Sequence, residues 1–326
     1  MSLREKVTQS ILQRHPIPKS LQNPIRPFYY EDYRNNLFCP MSSKAIEEYN
    51  RGDGSETKEC TVTKYGRTYT LPPKMGSIVS SSAMTFNLFG NDSAIILPGG
   101  ILPKGTYTVE YEKQLLTRAY GNMPANVDAF LSDSINRNAL FFEMKNLEWL
   151  EAPRVLGKSY FLERYYFTPD RSAVPYPKEA FEMFSNWAQV LQELPFRRYD
   201  ASQMFKHTLA MYNYASYVTQ SALEKVDPGK SMAGKYDWYI LTNVVNEFPA
   251  AFIDDEDIRW EYQSALSEER YEAQLFIDTM QRCDIPAIFD NNCNAGIKII
   301  YMSTKELAES LDIPEDHREY LKRYYS

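Results

Sequence analysis

Apolar positions fall in short strand-like runs between residues 106 and 147, and recur at helical spacing beyond residue 180. Residues 106–116 (TYTVEYEKQLL), 127–132 (VDAFLS) and 139–147 (ALFFEMKNL) are rich in β-branched and aromatic residues and read as three strands. Turn chemistry at Gly121-Asn122 and from Asp133 to Asn138 joins them into an antiparallel meander. Residues 180–191 place Phe181, Phe184, Trp187 and Val190 on one side of a helix. Asp200 is an N-cap for a helix running to about residue 218, and 236–245 (YDWYILTNVV) is an apolar strand. A long amphipathic helix over 261–282, a strand over 297–302 and a closing helix over 303–311 follow. The last opens on a Ser303-x-x-Glu306 capping box. Three strands followed by alternating helices and strands imply an α/β fold with a mixed sheet.

The first 76 residues read as an irregular N-terminal extension, with prolines at 16, 18, 24, 27 and 40 and a polar turn-rich stretch over 50–55. Residues 64–71 (KYGRTYTL) are a short strand, and 80–89 open with serines that cap a short buried helix. The main domain is expected over 77–326, with an acidic C-terminal region.

Composition narrows the classes. With 44% hydrophobic residues in 326, the chain buries a sizeable core. No apolar run approaches the ~18 residues of a membrane span, and residues 1–16 are too charged for a signal peptide. Four widely spaced cysteines suit reduced thiols, so a cytoplasmic location is expected. Only three histidines are present, which argues against zinc or histidine-rich catalysis. The net charge of −7 argues against nonspecific coating of nucleic acid. From Asp254 onward 17 acidic residues face 8 basic ones, so the remainder is slightly positive. An anion-binding surface is expected in the first 250 residues, with the acidic tail facing away.

The chemistry centres on the meander. In its third strand Leu140, Phe142 and Met144 share one face, and Phe141, Glu143 and Lys145 the other. Asp128 lies in the second strand, and Glu110 and Glu112 share a face of the first. Taken singly, such charges describe a solvated sheet face with Glu143 and Lys145 as neighbouring ions. Together they crowd one face. Two carboxylates ~4 Å apart repel by up to ~4 kcal/mol at an effective dielectric of ~20, and a divalent cation relieves that repulsion.

Pro124-Ala125-Asn126-Val127-Asp128, with Glu143-Met144-Lys145 after it, resembles the PD-(D/E)xK nuclease superfamily of the restriction-endonuclease-like fold. The surroundings resemble a bacterial branch of such proteins. They share its serine-rich helix (80–89, SSSAMTFNLF), its acidic first strand (Tyr111-Glu112-Lys113) and a later helix (201–209, ASQMFKHTL). The resemblance spans roughly residues 77–311. It implies a mixed β-sheet flanked by helices and hydrolysis of phosphodiester bonds with Mg²⁺, Mn²⁺ substituting. DNA is the expected substrate by fold analogy.

Asp128, Glu143 and the Met144 carbonyl would hold the metal. Glu112 is the first-strand acid and Glu110 the second choice. Lys145 would orient or help deprotonate water and offset charge. Gln203 and Lys206 would sit near phosphate or water. Lys113, Arg118, Arg154, Lys158, Arg197 and Arg198 are candidate backbone-phosphate contacts, and Trp149 and Tyr160 candidate base-stacking rings.

The superfamily often has a glutamate in the helix before the first strand; residues 77–89 have none, and Glu47 or Glu48 is the nearest substitute. Two rival readings stand beside the nuclease. One is an inactive nuclease-fold module that binds nucleic acid or protein; the other is a small-molecule enzyme using the same residues. Many such nucleases form homodimers, but no dimer-forming segment is visible in the sequence.

Overall fold

The N-terminal residues read as irregular carry two helices. Helix α1 (Leu3–Arg14) starts in a capping box between Ser2 and Glu5, and α2 (Ser43–Tyr49) is capped by Ser42. The strand expected within 64–71 is half of a hairpin, β1 (Cys60–Lys64) against β2 (Arg67–Leu71), with Gly66 at φ +72° in its turn. Helix α3 (Ser81–Phe89) begins where the serine run predicts, with Ser80 accepting the Ala83 N–H. The structure, a computed structural model, describes residues 1–51, 55–64, 66–91, 94–117, 124–151, 156–157 and 177–326. Arg118, Arg154, Lys158, Tyr160 and the Gly121-Asn122 turn lie outside the described residues.

The main sheet contains β3 (Ile95–Leu97), β4 (Gly105–Leu115), β5 (Ala125–Asp133) and β6 (Asn138–Lys145). Helices α4 (Lys178–Gln192), α5 (Ala201–Ala215) and α6 (Tyr217–Val226) precede β7 (Trp238–Val245). Then come α7 (Glu256–Arg282), α8 (Ile285–Cys293), β8 (Gly296–Ser303), α9 (Thr304–Glu309) and α10 (Glu315–Leu321). The strand order is β3-β4-β5-β6-β7-β8, antiparallel as far as β6 and parallel from β6 to β8. Parallel neighbours need a long crossover, which the helices supply. This is the mixed sheet flanked by helices that the resemblance implies.

One boundary differs from the sequence reading. The helix expected to reach residue 218 stops at Ala215, because Ser216 is extended (φ −86°, ψ 131°) and its hydroxyl oxygen accepts the N–H of Val218. The Ser303–Glu306 capping box forms as read.

Each face of the sheet buries its own apolar cluster. Phe141, Phe184, Phe205, Phe276 and Phe289 anchor the one against α4, α5, α7 and α8. Tyr49, Phe86, Phe142 and Leu307 anchor the other, which takes in Leu37 and Ala45 from the first 76 residues. No helix among the described residues is long and apolar enough to cross a membrane.

β4 and β5 change faces together. Tyr107, Val109, Tyr111, Ala129 and Leu131 point to the α3 side, but Leu115, Ala125 and Val127, of the same parity, pack on the α5 side. The reversal falls between the pairs Tyr111↔Ala129 and Lys113↔Val127, where Glu112 adopts φ +47°. A left-handed residue rolls the strand over without losing register. Asp128 lies opposite Glu112 at this point. The β5–β6 ladder ends one residue away, at Ala129↔Phe142, and the Asp128 carboxylate accepts the Met144 N–H at 2.6 Å in place of a backbone carbonyl.

The outer edge of β4 is closed by α2. β3 pairs only as far as Tyr107, and beyond it Lys44 Nζ donates to the Val109 carbonyl at 3.2 Å. Glu48, 1% exposed, accepts the Tyr111 N–H at 2.9 Å. Glu48, one of the two nearest substitutes for a helix acid, therefore serves the sheet edge. Replacing it (Glu48→Ala) removes the carboxylate acceptor of a buried N–H, and urea denaturation should show a loss of about 1–3 kcal/mol.

Candidate active site

Glu112, Asp128, Glu143, Lys145 and Gln203 line one cavity of about 490 Å³. The first two arrive from the reversal of β4 and β5, the next two from the end of β6, and Gln203 from the first turn of α5. Asp200 N-caps α5, accepting the Gln203 N–H at 2.9 Å, so the helix starts beside the strands. The rest of the lining includes Arg4, Glu56 and Lys74 from the N-terminal segment and the serines that open α3. Ser82 donates to Glu56 at 2.6 Å, and Lys74 pairs with Glu56 at 2.8 Å. Nothing in the composition of residues 1–76 pointed to these contributions, because Arg4, Glu56 and Lys74 lie far apart in the sequence and belong to no motif.

The electrostatics are set by burial. Lys145 Nζ lies 2.5 Å from Glu143 Oε1, and the Glu143 side chain is 4% exposed. Burial raises the Glu143 pKa, but Lys145, and His207 after it, more than offset that and hold it below the usual carboxylate range. Burial alone would lower Lys145; Glu143 and Asp128 keep it an ammonium, above its ordinary value. Asp128 goes the other way. Burial, then the charges of Glu143 and Glu112, push its carboxyl well above the ordinary range, against the pull of Lys145 and the Met144 N–H. One carboxylate of the pair is thus neutralised by the lysine, and the other is left short of positive charge.

Gln203 also hydrogen-bonds Glu143, and its Nε2 lies 3.1 Å from His207 Nε2. His207 is buried, with Nδ1 3.5 Å from Glu143 Oε2 and no hydrogen bond to that nitrogen. The structure turns Gln203 and His207 inward against Glu143 of β6. Lys206 instead donates to the Pro124 carbonyl at 2.9 Å, tying α5 to the start of β5, and does not line the cavity.

Other predicted residues lie elsewhere. Lys113 pairs with Glu110 at 2.7 Å and sits over the Phe130 ring, while Glu110 also binds Arg51. Neither Lys113 nor Glu110 lines the cavity. Arg197 is exposed beside Glu268, whereas Arg198 pairs with Glu268 at 3.2 Å and lines a smaller adjoining chamber. Trp149 is buried there, donating its indole N–H to the Asn146 carbonyl.

The acidic tail does not face away throughout. On α7, Tyr262, Ala265, Glu269, Glu272, Ala273 and Phe276 form the buried stripe. Glu272 accepts the N–H groups of Arg197, Arg198 and Tyr199 at 2.7, 2.7 and 2.9 Å. Glu269 lines the adjoining chamber, and burial, with Glu272 and Asp200 next, pushes it up to about 8. Two carboxylates at apolar-stripe spacing were the available signal; counting charge along the tail hid it.

Among the described residues no three His, Cys, Asp or Glu side chains are gathered into a ready metal cluster, so Glu112 shares the cavity without completing one. The Asp128–Glu143 pair still fits a hard cation, since Mg²⁺ takes one or two carboxylates and keeps waters.

A family model described as "Restriction Endonuclease associating with ARP" matches residues 4–227, more than half of the chain. Comparison with curated proteins and with solved structures gives no match.

His207 carries a pH signature. Burial, with Lys145 and Lys206 adding to it against Glu143, pushes it down to about 4. Between about 6.5 and about 4 the unfolded chain binds a proton that the native imidazole refuses, so stability rises with pH across that window. Comparing denaturation of the parent and His207→Gln in metal-free buffer should show this component, up to about 3 kcal/mol, missing from the variant.

Proposed function

We propose a reaction for this chain from one premise: it belongs to the restriction endonuclease family described as associating with ARP. The reaction is Mg²⁺-dependent hydrolysis of phosphodiester bonds in DNA, carried by Asp128, Glu143 and Lys145. The observation that supports it most is the pairing of a half-buried, charge-starved Asp128 with a lysine-neutralised Glu143 in one cavity. The family's description also motivates a working association of this chain with ARP, inside the cell.

Asp128 and Glu143 would hold the metal, which when bound lowers the pKa of a ligated water and offsets phosphate charge. The chain's own residues prepare the rest. The Met144 N–H orients the Asp128 carboxylate, and the position of Met144 on β6 offers its carbonyl to the same place. Lys145, held as an ammonium, is suited to bind a phosphate oxygen and stabilise developing negative charge rather than to take a proton. Gln203 steadies Glu143, and neutral His207 packs behind it without adding charge. Glu112 adds negative charge that strengthens cation binding. Arg4, paired with Glu148 and Glu151, and Lys74, paired with Glu56, also line the cavity and would reach the backbone of a bound strand only by exchanging those partners for phosphate.

Incubation of plasmid, single-stranded DNA and RNA with Mg²⁺ or Mn²⁺ tests the reading. Cutting should fall by about 100-fold or more in Lys145→Ala and Asp128→Asn. Cutting that persists in both variants, or none by the unmodified protein, would reject it. The metal has its own readout: saturating Mg²⁺ or Mn²⁺, at about 100 times Kd, should stabilise the protein by about 2.7 kcal/mol, and Asp128→Ala should abolish the rise in Tm.

A further inference from the structure

The reaction cavity opens on a second chamber of about 120 Å³ that shares Glu143, Lys145, Glu148 and Gln203 with it. One water needs roughly 10–15 Å³ measured this way, so the chamber is far larger than a niche for a bridging solvent molecule. Its walls combine two kinds of surface. Trp149 and Met204, both buried, give apolar contact. Asn243 and Glu269 are 4% and 1% exposed, and Asn243 Oδ1 and Glu269 Oε2 have no hydrogen-bond partner. The rest of the Asn243 carboxamide is engaged by the Tyr199 phenol, which leaves Oδ1 as the free acceptor. Buried acceptors without donors are destabilising, and a ligand that brings N–H groups satisfies them and favours the charged, accepting form of Glu269 against the burial that raises its pKa.

The lining excludes other occupants. A phosphate would find Lys145 already paired with Glu143 and Arg198 with Glu268, and would meet four further carboxyls, Glu148, Glu151, Asp200 and Glu269. A flat group with an apolar face and donors along one edge meets each feature of the wall.

We infer that the chamber takes an unpaired nucleobase adjacent to the phosphate at Lys145, with Asn243 Oδ1 and Glu269 Oε2 accepting from its pairing edge. Guanine presents two neighbouring donors on that edge, the ring N–H and the exocyclic amino group, so it is the preferred base. Hypoxanthine lacks the amino group and is the matched control. The inference rests on the phosphodiesterase reading and adds a base preference to it.

The test uses the unmodified protein with Mn²⁺ and single-stranded thymine-rich DNA carrying one guanine or one hypoxanthine. Cuts should cluster at a constant distance from guanine, about tenfold above the same position beside hypoxanthine. Glu269→Gln and Asn243→Ala should each lose most of that ratio, with Tm measured to show that the variants fold. Cuts placed without regard to the base, or a ratio unchanged in both variants, would overturn the inference and leave the chamber to water. If no strand is cut, the proposed reaction fails by itself. Fluorescence anisotropy with the same two strands then decides the chamber: tighter binding of the guanine strand, lost in Glu269→Gln, supports it, and equal binding rejects it.

Discussion

Asp128, Glu143 and Lys145 share one largely desolvated pocket, Glu143 buried and the other two half-buried, and much of the surrounding structure answers that one electrostatic demand. Isolated, each charge would be strongly disfavoured by burial. As a group they divide into a neutralised pair, Glu143 with Lys145, and an acid, Asp128, whose remaining need is for positive charge. The left-handed Glu112, the ladder that ends at Ala129↔Phe142 and the Met144 N–H turned to a carboxylate are local departures from a regular sheet. All fall within a residue or two of the same point. Departures from regular pairing gather at functional sites because a site needs groups that a regular ladder would consume.

The two faces of the sheet divide the work. The α3 side brings serines and the N-terminal segment to the cavity, and the α5 side brings Gln203, with His207 packed behind Glu143. Because β4 and β5 roll over between those sides, residues that packed on one half of the molecule give way to residues packed on the other. The carboxylates stand where neither cluster closes over them.

Much of this was legible in the chain. Strand alternation around Glu143 and Lys145, the Asp200 cap and the serine cap of α3 are local signals, and local chemistry decides them. The reversal at Glu112 was not legible, since no glycine marks it and its cause is the opposing strand. The hairpin partner of β2 and the α1 helix were missed because prolines and turn residues nearby outweighed short periodic stretches. Lys113 and Lys206 looked like phosphate contacts by charge, but each finds a partner inside the fold, Glu110 and the Pro124 carbonyl. Glu269 was hidden for the opposite reason: a carboxylate in an acidic helix looks solvated until the stripe it shares with Tyr262, Ala273 and Phe276 is drawn.

The side chains of α2 stand in for a missing strand along β4. An edge sealed in this way offers no template to a neighbouring molecule, so the sheet is protected from runaway strand addition on the flank that carries Glu112. Were α2 to unwind, the same event would bare adhesive backbone and free the amide next to the rolled-over residue, coupling colloidal behaviour to the shape of the cavity.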